Sequence, residues 1–427
     1  MEAAFSAATA IIMFILGVFG QIQDASKPSQ PQERPDRTEV SDVGDVLTIY
    51  SLNDEFKDYM GGYVPEGVKL DYITDFASFN SDELYRVIRE GVYGEPVDIY
   101  IVDSDVLCRY LSEDTALPVS RLGITDDDLS GLYGFSRENA ENAAGEVCAL
   151  PVVSAPGVFL YHRSAAKKLF GTDDPAVVQS NISDWKKFLQ TAELAKSKDI
   201  YMTTSVNDMY RVFTSGSSFT GSDGSLSLPS SALDWYTAAQ TMAKNGYELG
   251  FQPWTNEWTN SFTDENVFGY FTASWYVEAI IPILSDSSDY AVCAGPQYFY
   301  WGGSYAVVNP RSDNYEAAAD LLRRMCVNGE LSAAGQTSTV IPAKRSVLAG
   351  MDPITPPQLG GQDIRPVYLE VLDGISVSRR SACDYDLSTH FQNRMNDFLH
   401  GEYSGMSISD ELNLFCSEAA MLYPGAL

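Results

Sequence analysis

The sequence predicts an α/β protein with a parallel sheet, and the beginning of its folded part carries the evidence. Short runs of β-branched, aromatic and other apolar residues, typical of buried strands, occur at 46–50, 69–73 and 97–102. Between the second and third runs, Leu84, Val87 and Ile88 recur at helical spacing after Ser81, a suitable N-cap. Strand, helix and strand in this order indicate neighbouring parallel strands.

Later parts of the chain add helices whose apolar stripes we assign to the core. Ser183 is predicted to cap a helix with Trp185 and Phe188 on its apolar face. Two further helical stripes lie near the C-terminus, formed by Phe391, Met395, Phe398 and Leu399 and by Leu412, Phe415, Ala419 and Leu422.

Composition excludes some classes of function. The 427 residues include 58 acidic and 28 basic side chains, a formal net charge of -30. Nucleic-acid binding needs a basic surface, so we predict no nucleic-acid partner. No residues near His390 and His400 complete a zinc site, and we predict neither a metal nor a cofactor. The six cysteines are scattered without a CxxC motif. This favours free thiols, although an exported chain leaves one or two disulfides open.

The N-terminus indicates export. Residues 1–20 contain an uncharged stretch from Ala3 to Gly20, long enough for the apolar region of a signal peptide and marginal for a membrane-spanning helix. No Lys or Arg precedes this stretch and no Cys follows it. Residues 21–45 are polar, contain three prolines and are predicted to be a flexible linker. We expect an extracytoplasmic protein that is tethered to the outer face of the membrane or secreted.

Polar residues follow two of the predicted strands. Asn53, Asp54 and Glu55 come after the first strand, and Asp103 and Asp105 come after the third. Ligands of parallel α/β sheets bind beyond the carboxyl ends of the strands, which makes these five residues candidate ligand contacts. Helix capping is an alternative role for Asp54 and for Asp103.

The stretch YFYWGGSYAVVNP combines features that seldom occur together. Four consecutive aromatic residues end at Trp301 and are followed by Gly302 and Gly303. Glycines contribute little to packing, and they are useful where another group approaches the backbone closely. We interpret the stretch as a strand whose entrance is a surface for a ligand.

The order of segments resembles the extracellular solute-binding proteins of ABC transporters, in the branch that binds sugars. LTIYSLNDEF is similar to the first strand and polar loop of that family. EVCALPVVSAPGVFLYHRSAAKKLFG resembles its first hinge crossing, with His162 where members carry Asn, and YFYWGG resembles the second crossing. GYFTASWYVEAI resembles a Gly-Ser-Trp motif of the family. The lipid-attachment cysteine of bacterial lipoproteins is absent after the apolar stretch.

The resemblance implies a two-lobed, periplasmic-binding-protein-like (type II) fold with a ligand cleft between the lobes. Lobe 1 would comprise residues 46–155 plus 300–345, and lobe 2 residues 156–299 plus 346–427. Such a protein binds a carbohydrate, closes by hinge motion and delivers the ligand to ABC transporter permease subunits. A monomer is the expectation for the family.

Within this resemblance, aromatic rings would stack on a sugar while carboxylates and amides bind its hydroxyl groups. The candidate rings are Trp254, Trp258, Trp275 and Trp301. The first two lie in QPWTNEW, a polar segment where a core tryptophan would be unusual, whereas Trp275 lies in an apolar run and has core packing as its alternative.

Two other functions stay open on the sequence. A glycosidase would use two carboxylates, but the chain has no GxSxG, HExxH, phosphate-loop or dinucleotide-binding motif. A tethered pair of lobes could instead report its ligand to a sensor kinase. Within the main hypothesis, a peptide or a polyamine is an alternative ligand.

Overall fold

The computed structural model describes residues 46–75, 82–92, 94–221, 223–253, 255–264, 266–284, 289–330, 340–401 and 406–423. The predicted N-terminal segments 1–20 and 21–45 lie outside the described residues, as do the predicted cap Ser81 and the candidate ring Trp254.

A five-stranded sheet contains the three predicted strands. Its order is β2-β1-β3-β8-β4, from β1 (Val46–Ser51), β2 (Lys69–Thr74), β3 (Ile99–Asp103), β4 (Leu150–Val153) and β8 (Ser304–Val308). β1 pairs in parallel with both β2 and β3, which confirms the parallel arrangement predicted for this part of the chain. β8 pairs antiparallel with β3 and with β4, so the complete sheet is mixed.

A second sheet has three strands in the order β6-β5-β7 and is antiparallel throughout. Its strands are β5 (Gly157–His162), β6 (Gly269–Ala273) and β7 (Tyr290–Cys293). The central strand β5 is buried along its whole length. Phe159 and Tyr161 pack into one apolar layer, whereas Val158 and Leu160 pack into another on the opposite face. A strand directs successive side chains to opposite faces, so an uninterrupted apolar run is what a sheet covered on both faces requires.

Helices surround both sheets. They are α1 (Lys57–Met60), α2 (Asp82–Glu90), α3 (Asp126–Leu129), α4 (Gly134–Asn139), α5 (Arg163–Phe170), α6 (Pro175–Ile182), α7 (Trp185–Lys196), α8 (Val206–Thr214), α9 (Ser230–Asn245), α10 (Asn256–Ser261), α11 (Ile281–Leu284), α12 (Tyr315–Leu322), α13 (Arg345–Gly350), α14 (Arg365–Gly374), α15 (Asp384–Leu399) and α16 (Ile408–Leu422). The apolar stripe predicted for α2 is buried.

The predicted start of α7 is wrong by one residue. Asp184, and not Ser183, is its N-cap, because the Asp184 carboxylate accepts a hydrogen bond from the amide of Lys187 at 2.8 Å. Ser183 instead ends α6. Both residue types cap helices well, so sequence alone does not separate them.

The two sheets are joined by segments that run side by side. The chain passes from β4 to β5 through residues 154–156 and from β7 to β8 through residues 294–303. The Gly157 amide donates to the Phe299 carbonyl at 2.9 Å, and the Trp301 amide donates to the Ala155 carbonyl at 3.1 Å. A third segment lies beside these two: the Ser154 amide donates to the Ile341 carbonyl at 2.8 Å.

Gly157 is the residue of this junction that tolerates a side chain least. A Cβ at Gly157 would lie 2.4 Å from the ring of Phe299, which is completely buried and has no space to withdraw. We expect Gly157→Ala to lower the free energy of unfolding by about 1–3 kcal/mol through overpacking. Urea denaturation measures this. Gly350→Ala is the matched control, because a Cβ there meets nothing within 4 Å. Equal stability of the two variants would contradict this account of the junction.

Candidate functional site

The two predicted polar loops leave the five-stranded sheet on the same side, at the carboxyl ends of β1 and β3. Ser51 of β1 lies opposite Ile101 of β3 in a parallel pair. Asn53 and Asp103 each follow two residues later, so the topology brings them to the same end of neighbouring strands. This is the carboxyl end of the parallel strands, where ligands of such sheets bind.

The loop after β1 is organised by its own polar groups. The Asn53 side-chain oxygen accepts a hydrogen bond from the Glu55 amide at 3.2 Å. The backbone carbonyl of Asn53 accepts one from the Tyr72 hydroxyl at 3.1 Å. Burial raises the pKa of Glu55 to about 7, although its hydrogen bond with Asn53 acts in the opposite direction. Asp54 is exposed, and its backbone carbonyl accepts a hydrogen bond from the Lys57 amide in the helical turn that follows. No side chain caps that turn, so the Asp54 carboxylate is not a helix cap.

The loop after β3 holds two carboxyl groups close together. The Asp103 carboxylate accepts from the Asp105 amide at 2.8 Å. Burial raises the pKa of Asp103 to about 7, and the nearby Asp105 charge adds to this rise. The helical turn that follows is a 3₁₀ turn that begins at Leu107, and its N-cap position is Val106. Asp103 therefore fixes its own loop rather than capping a helix.

The two glycines after Trp301 have a backbone explanation. Gly302 and Gly303 have φ angles of 86° and 98°, which L-residues with a side chain rarely adopt. Ser104 packs against this turn, with its hydroxyl donating to the Gly302 carbonyl at 2.7 Å and its amide donating to the Gly303 carbonyl at 2.9 Å. The glycines thus couple the second crossing segment to the loop that carries Asp103 and Asp105.

Two of the predicted tryptophans meet beside this turn. The Trp275 indole donates to the Trp301 carbonyl at 2.8 Å, and the two rings pack edge to face at 5.4 Å. Trp275 follows β6 of the three-stranded sheet, whereas Trp301 lies in the crossing segment. Both side chains are partly exposed, so their rings combine core packing with an accessible surface.

The other aromatic residues of the YFYW stretch have different roles. Phe299 and Tyr300 are buried in the two separate apolar layers of the three-stranded sheet. Tyr298 is 38% exposed and donates to Glu370 at 2.9 Å. The stretch leads into strand β8 as predicted, and the ligand surface at its entrance stays a prediction. Of the four aromatic residues, Trp301 is the one at the candidate site.

Two arginines that the sequence analysis did not select complete the cluster. Arg211 of α8 forms an ion pair with Asp105 at 2.7 Å, and its guanidinium lies 5.3 Å from the centre of the Trp301 ring. Arg380 donates to the Asp105 carbonyl at 3.0 Å and to the Tyr300 hydroxyl at 3.3 Å. The pair Arg379-Arg380 stands outside any apolar period in an acidic chain, a signal that could have identified it.

Comparisons with known proteins agree with this architecture. The sequence profile of the family described as bacterial extracellular solute-binding protein matches residues 81–359, more than half of the chain. The chain belongs to this family. The predicted resemblance is thereby confirmed at the level of the family, whose description places its members outside the cytoplasm.

Solved structures of other proteins share the fold of this solute-binding protein. A protein described as extracellular solute-binding protein family 1 aligns with a TM-score of 0.77 at 14% identity, over 88% of this chain and 99% of its own. The galacto-N-biose-/lacto-N-biose I-binding protein of the ABC transporter from Bifidobacterium longum aligns with a TM-score of 0.67 at 13% identity, over 90% and 99%. The sugar-binding protein MalE from Xanthomonas citri aligns with a TM-score of 0.67 at 13% identity, over 87% and 96%. No curated protein matched by sequence. The two-lobed type II fold is therefore confirmed.

The structure overturns the role predicted for Trp258 in this solute-binding protein. Trp258 is 2% exposed, packs against Phe262 and Tyr276, and donates from its indole nitrogen to the Asp208 carboxylate at 3.0 Å. Its polar neighbours Asn256 and Glu257 face outwards from the short helix α10. The segment is thus one turn of an amphipathic helix and not a polar loop, and Trp258 is a core residue.

The two histidines near the C-terminus are engaged by neighbouring protein groups. His390 pairs with Glu418 at 2.9 Å, and His400 bonds the Asn396 carbonyl at 2.8 Å. Across the residues that the structure describes, no cluster of three or more His, Cys, Asp or Glu side chains could hold a metal ion.

Within the same residues, no helix is long and apolar enough to cross a membrane.

Asp208 makes the stability of this protein depend on pH. Burial raises its pKa to about 7 from 3.8, and its hydrogen bonds with Trp258 and Thr204 oppose that rise only in part. Between these two pH values the folded state holds a proton on Asp208 that the unfolded state has lost. The contribution of Asp208 to the free energy of unfolding therefore falls as pH rises towards 7 and levels off above it. We expect Asp208→Asn to remove up to about 2 kcal/mol of this decrease between pH 5 and pH 7.

Urea denaturation of the wild type and the variant at several pH values measures this difference. Asp234→Asn, at an exposed position on α9, is the control and should leave the pH dependence of the wild type unchanged. Parallel stability curves for the wild type and Asp208→Asn would show that Asp208 does not titrate in this range.

Proposed function

We propose that this solute-binding protein is the substrate-binding component of an ABC importer and that its ligand is a carbohydrate, in particular an oligosaccharide. The observation that carries the proposal is the pair of partly exposed indole rings, Trp275 and Trp301, beside the carboxyl groups of Asp103 and Asp105. Two of the structural neighbours described above are sugar-binding proteins by name, which supports the same ligand class.

The chemistry of the cluster suits a sugar. A pyranose presents an apolar C–H face to an aromatic ring and hydroxyl groups at its edge. Asp103 and Asp105 provide acceptors for those hydroxyls, and Arg211 and Arg380 provide donors. In our proposal Trp301 and Trp275 form the stacking surface, Gly302 and Gly303 hold it against the polar loop, and Asn53, Asp54 and Glu55 extend the polar edge along the sheet.

The proposed binding cycle is a hinge motion between two lobes. Lobe 1 is assigned to residues 46–155 plus 300–345, and lobe 2 to residues 156–299 plus 346–427. All strands of the five-stranded sheet fall within the first set and all strands of the three-stranded sheet within the second, which supports this division. The side-by-side crossing segments provide the hinge, and ligand contacts from both lobes favour the closed state.

Arg211 gives the site a defined state without ligand. Its ion pair with Asp105 links α8 to the loop after β3, and the Asp105 side chain is only 11% exposed. A carboxylate with so little access to water needs a partner, and Arg211 is that partner until a ligand arrives. Sugar hydroxyls that donate to Asp105 and accept from Arg211 would insert between the two charges without leaving either one unpaired.

The remaining parts of the proposal concern location and partners. We propose that residues 1–20 act as a signal peptide or membrane anchor and that residues 21–45 form the spacer to the folded part. The protein would then act as a monomer at the outer face of the membrane and present its closed form to permease subunits.

A thermal-shift screen of residues 46–427 tests the ligand class. Mono- and oligosaccharides are compared with amino acids, polyamines and short peptides. A ligand at 100 times its dissociation constant should add about 2.7 kcal/mol to the stability of the folded state and raise the melting temperature by a few degrees. We expect an oligosaccharide to produce the shift and Trp301→Ala to abolish it, because the stacking surface is lost.

Trp258→Phe is the matched control, since Trp258 is a core indole that is 2% exposed. This variant should melt earlier than the wild type and keep its full sugar-dependent shift. A shift with peptides or polyamines alone would refute the carbohydrate ligand, and a sugar-dependent shift that survives Trp301→Ala would refute the proposed site.

A further inference from the structure

Two cysteines that are far apart in the sequence both contact Ser381, in the turn before α15. The Cys108 thiol donates to the Ser381 carbonyl at 3.0 Å, and the Cys383 sulfur lies 3.3 Å from the Ser381 hydroxyl oxygen. One serine thus lies within hydrogen-bonding distance of both sulfur atoms. Cys383 is partly exposed, so a soluble oxidant can reach it, whereas the Cys108 thiol is buried.

We propose that Cys108 and Cys383 form a disulfide bond after export, which joins the loop after β3 to the N-terminal end of α15. Cys108 belongs to the 3₁₀ turn whose Leu107 and Tyr110 pack into the core of the five-stranded sheet. α15, in contrast, contributes Phe391 and Met395 to an apolar layer of the three-stranded sheet. The bond would therefore be a covalent connection between the two lobes. It does not depend on the identity of the ligand.

The backbone on the Cys383 side of this contact is firmly held. Asp384 is 1% exposed, and its carboxylate accepts from the Ser381 amide at 2.6 Å and from the Phe219 amide at 2.8 Å. These bonds fix the turn that carries Cys383 to its own lobe. The turn cannot easily swing away from Cys108, so Ser381 stays within hydrogen-bonding distance of both sulfur atoms.

Polar contacts also hold the two sides of the pair together. Arg109, next to Cys108, forms an ion pair with Asp386 of α15. Arg379 donates to the Asn142 carbonyl at 3.0 Å, and Arg380 donates to the Asp105 carbonyl at 3.0 Å. The non-covalent contacts therefore already bring together the segments that the disulfide would join.

The pair lies beside the crossing segments, where a hinge motion displaces atoms least. Arg380, three residues before Cys383, contacts the Tyr300 hydroxyl in the second crossing segment at 3.3 Å. Two residues next to a rotation axis change their separation little as the lobes open and close. The disulfide is therefore compatible with hinge closure and would act as a further link between the lobes.

The chemistry requires an external oxidant, which we take to be an oxidised dithiol or oxidised glutathione. The Cys383 thiolate attacks one sulfur of the oxidant disulfide and releases one thiolate. The Cys108 thiol then loses its proton and attacks the Cys383 sulfur, which releases the second thiolate. One S–S bond forms, two S–H protons pass to solvent, and the oxidant takes up two electrons. Burial raises the pKa of Cys108 to about 11, consistent with its reacting second.

The location of the protein and the other cysteines favour this pairing. Disulfides persist outside the cytoplasm, where this family acts. Cys148, Cys293 and Cys326 are buried in the apolar cores, and Cys416 is exposed on α16. Cys416 is therefore the matched control: it is an exposed thiol that does not belong to the pair beside Ser381.

The test uses the full chain, purified after export and incubated with mixed oxidised and reduced glutathione. Free thiols are alkylated in denaturant and counted by mass spectrometry, and the cross-linked peptides are sequenced. We expect the count of six free thiols to fall by two and a linked peptide pair that contains Cys108 and Cys383. Six remaining thiols, or a bond that involves Cys416, would overturn the proposal.

Variants separate the bond from its effect on stability. The oxidised wild type should melt roughly 5 °C or more above its reduced form, because the bond closes a long loop of the unfolded chain. Cys416→Ser should retain this difference, and Cys383→Ser should lose it. If a variant does not fold, the thiol count and peptide map of the wild type still decide the question.

Discussion

The structure depends above all on the backbone hydrogen bonds between its crossing segments. Gly157 bonds to Phe299, Ala155 to Trp301 and Ser154 to Ile341, so the passages between the two sheets form a small ladder of their own. Every site residue is positioned relative to this ladder. Trp301 is part of it, Gly302 and Gly303 continue it, and Ser104 connects it to the loop after β3.

Electrostatics at the junction follow from burial. A carboxylate removed from water is costly unless it is paired, and the Asp105 side chain is paired with Arg211 of α8 and lies 4.0 Å from Arg380. The site thus contains charges that are satisfied before any ligand binds. Under the proposed function, a ligand replaces those interactions with its own hydrogen bonds, whereas an apolar molecule of the same size would leave the charges unpaired. This requirement favours ligands rich in hydroxyl groups over purely apolar ones.

The sequence predicted the local features well and the long-range ones poorly. β1, β3 and α2 follow from their apolar residues, because each buries its own pattern. β2 forms at the predicted place, but the prediction that it is a buried strand is wrong, because it lies at the edge of the sheet and buries only Tyr72. The start of α7 was misplaced by one residue because Ser183 and Asp184 are equally good caps. Trp258 was assigned to the wrong environment because one helical turn is too short to show its period. Arg211 and Arg380 were missed because their partner Asp105 lies more than a hundred residues away in the chain.

The YFYWGG stretch shows how one segment can serve both core and site. Phe299 and Tyr300 are neighbours in an extended segment, so their side chains point to opposite faces and anchor it in two different apolar layers. This double anchoring leaves the segment little freedom to move. Trp301 comes next, at the point where the layers end, and its ring is therefore held rigidly while part of it stays accessible. The glycines then turn the chain into β8. The dense aromatics and the paired glycines are thus two parts of one arrangement, in which core packing fixes an exposed ring beside a pair of carboxylates.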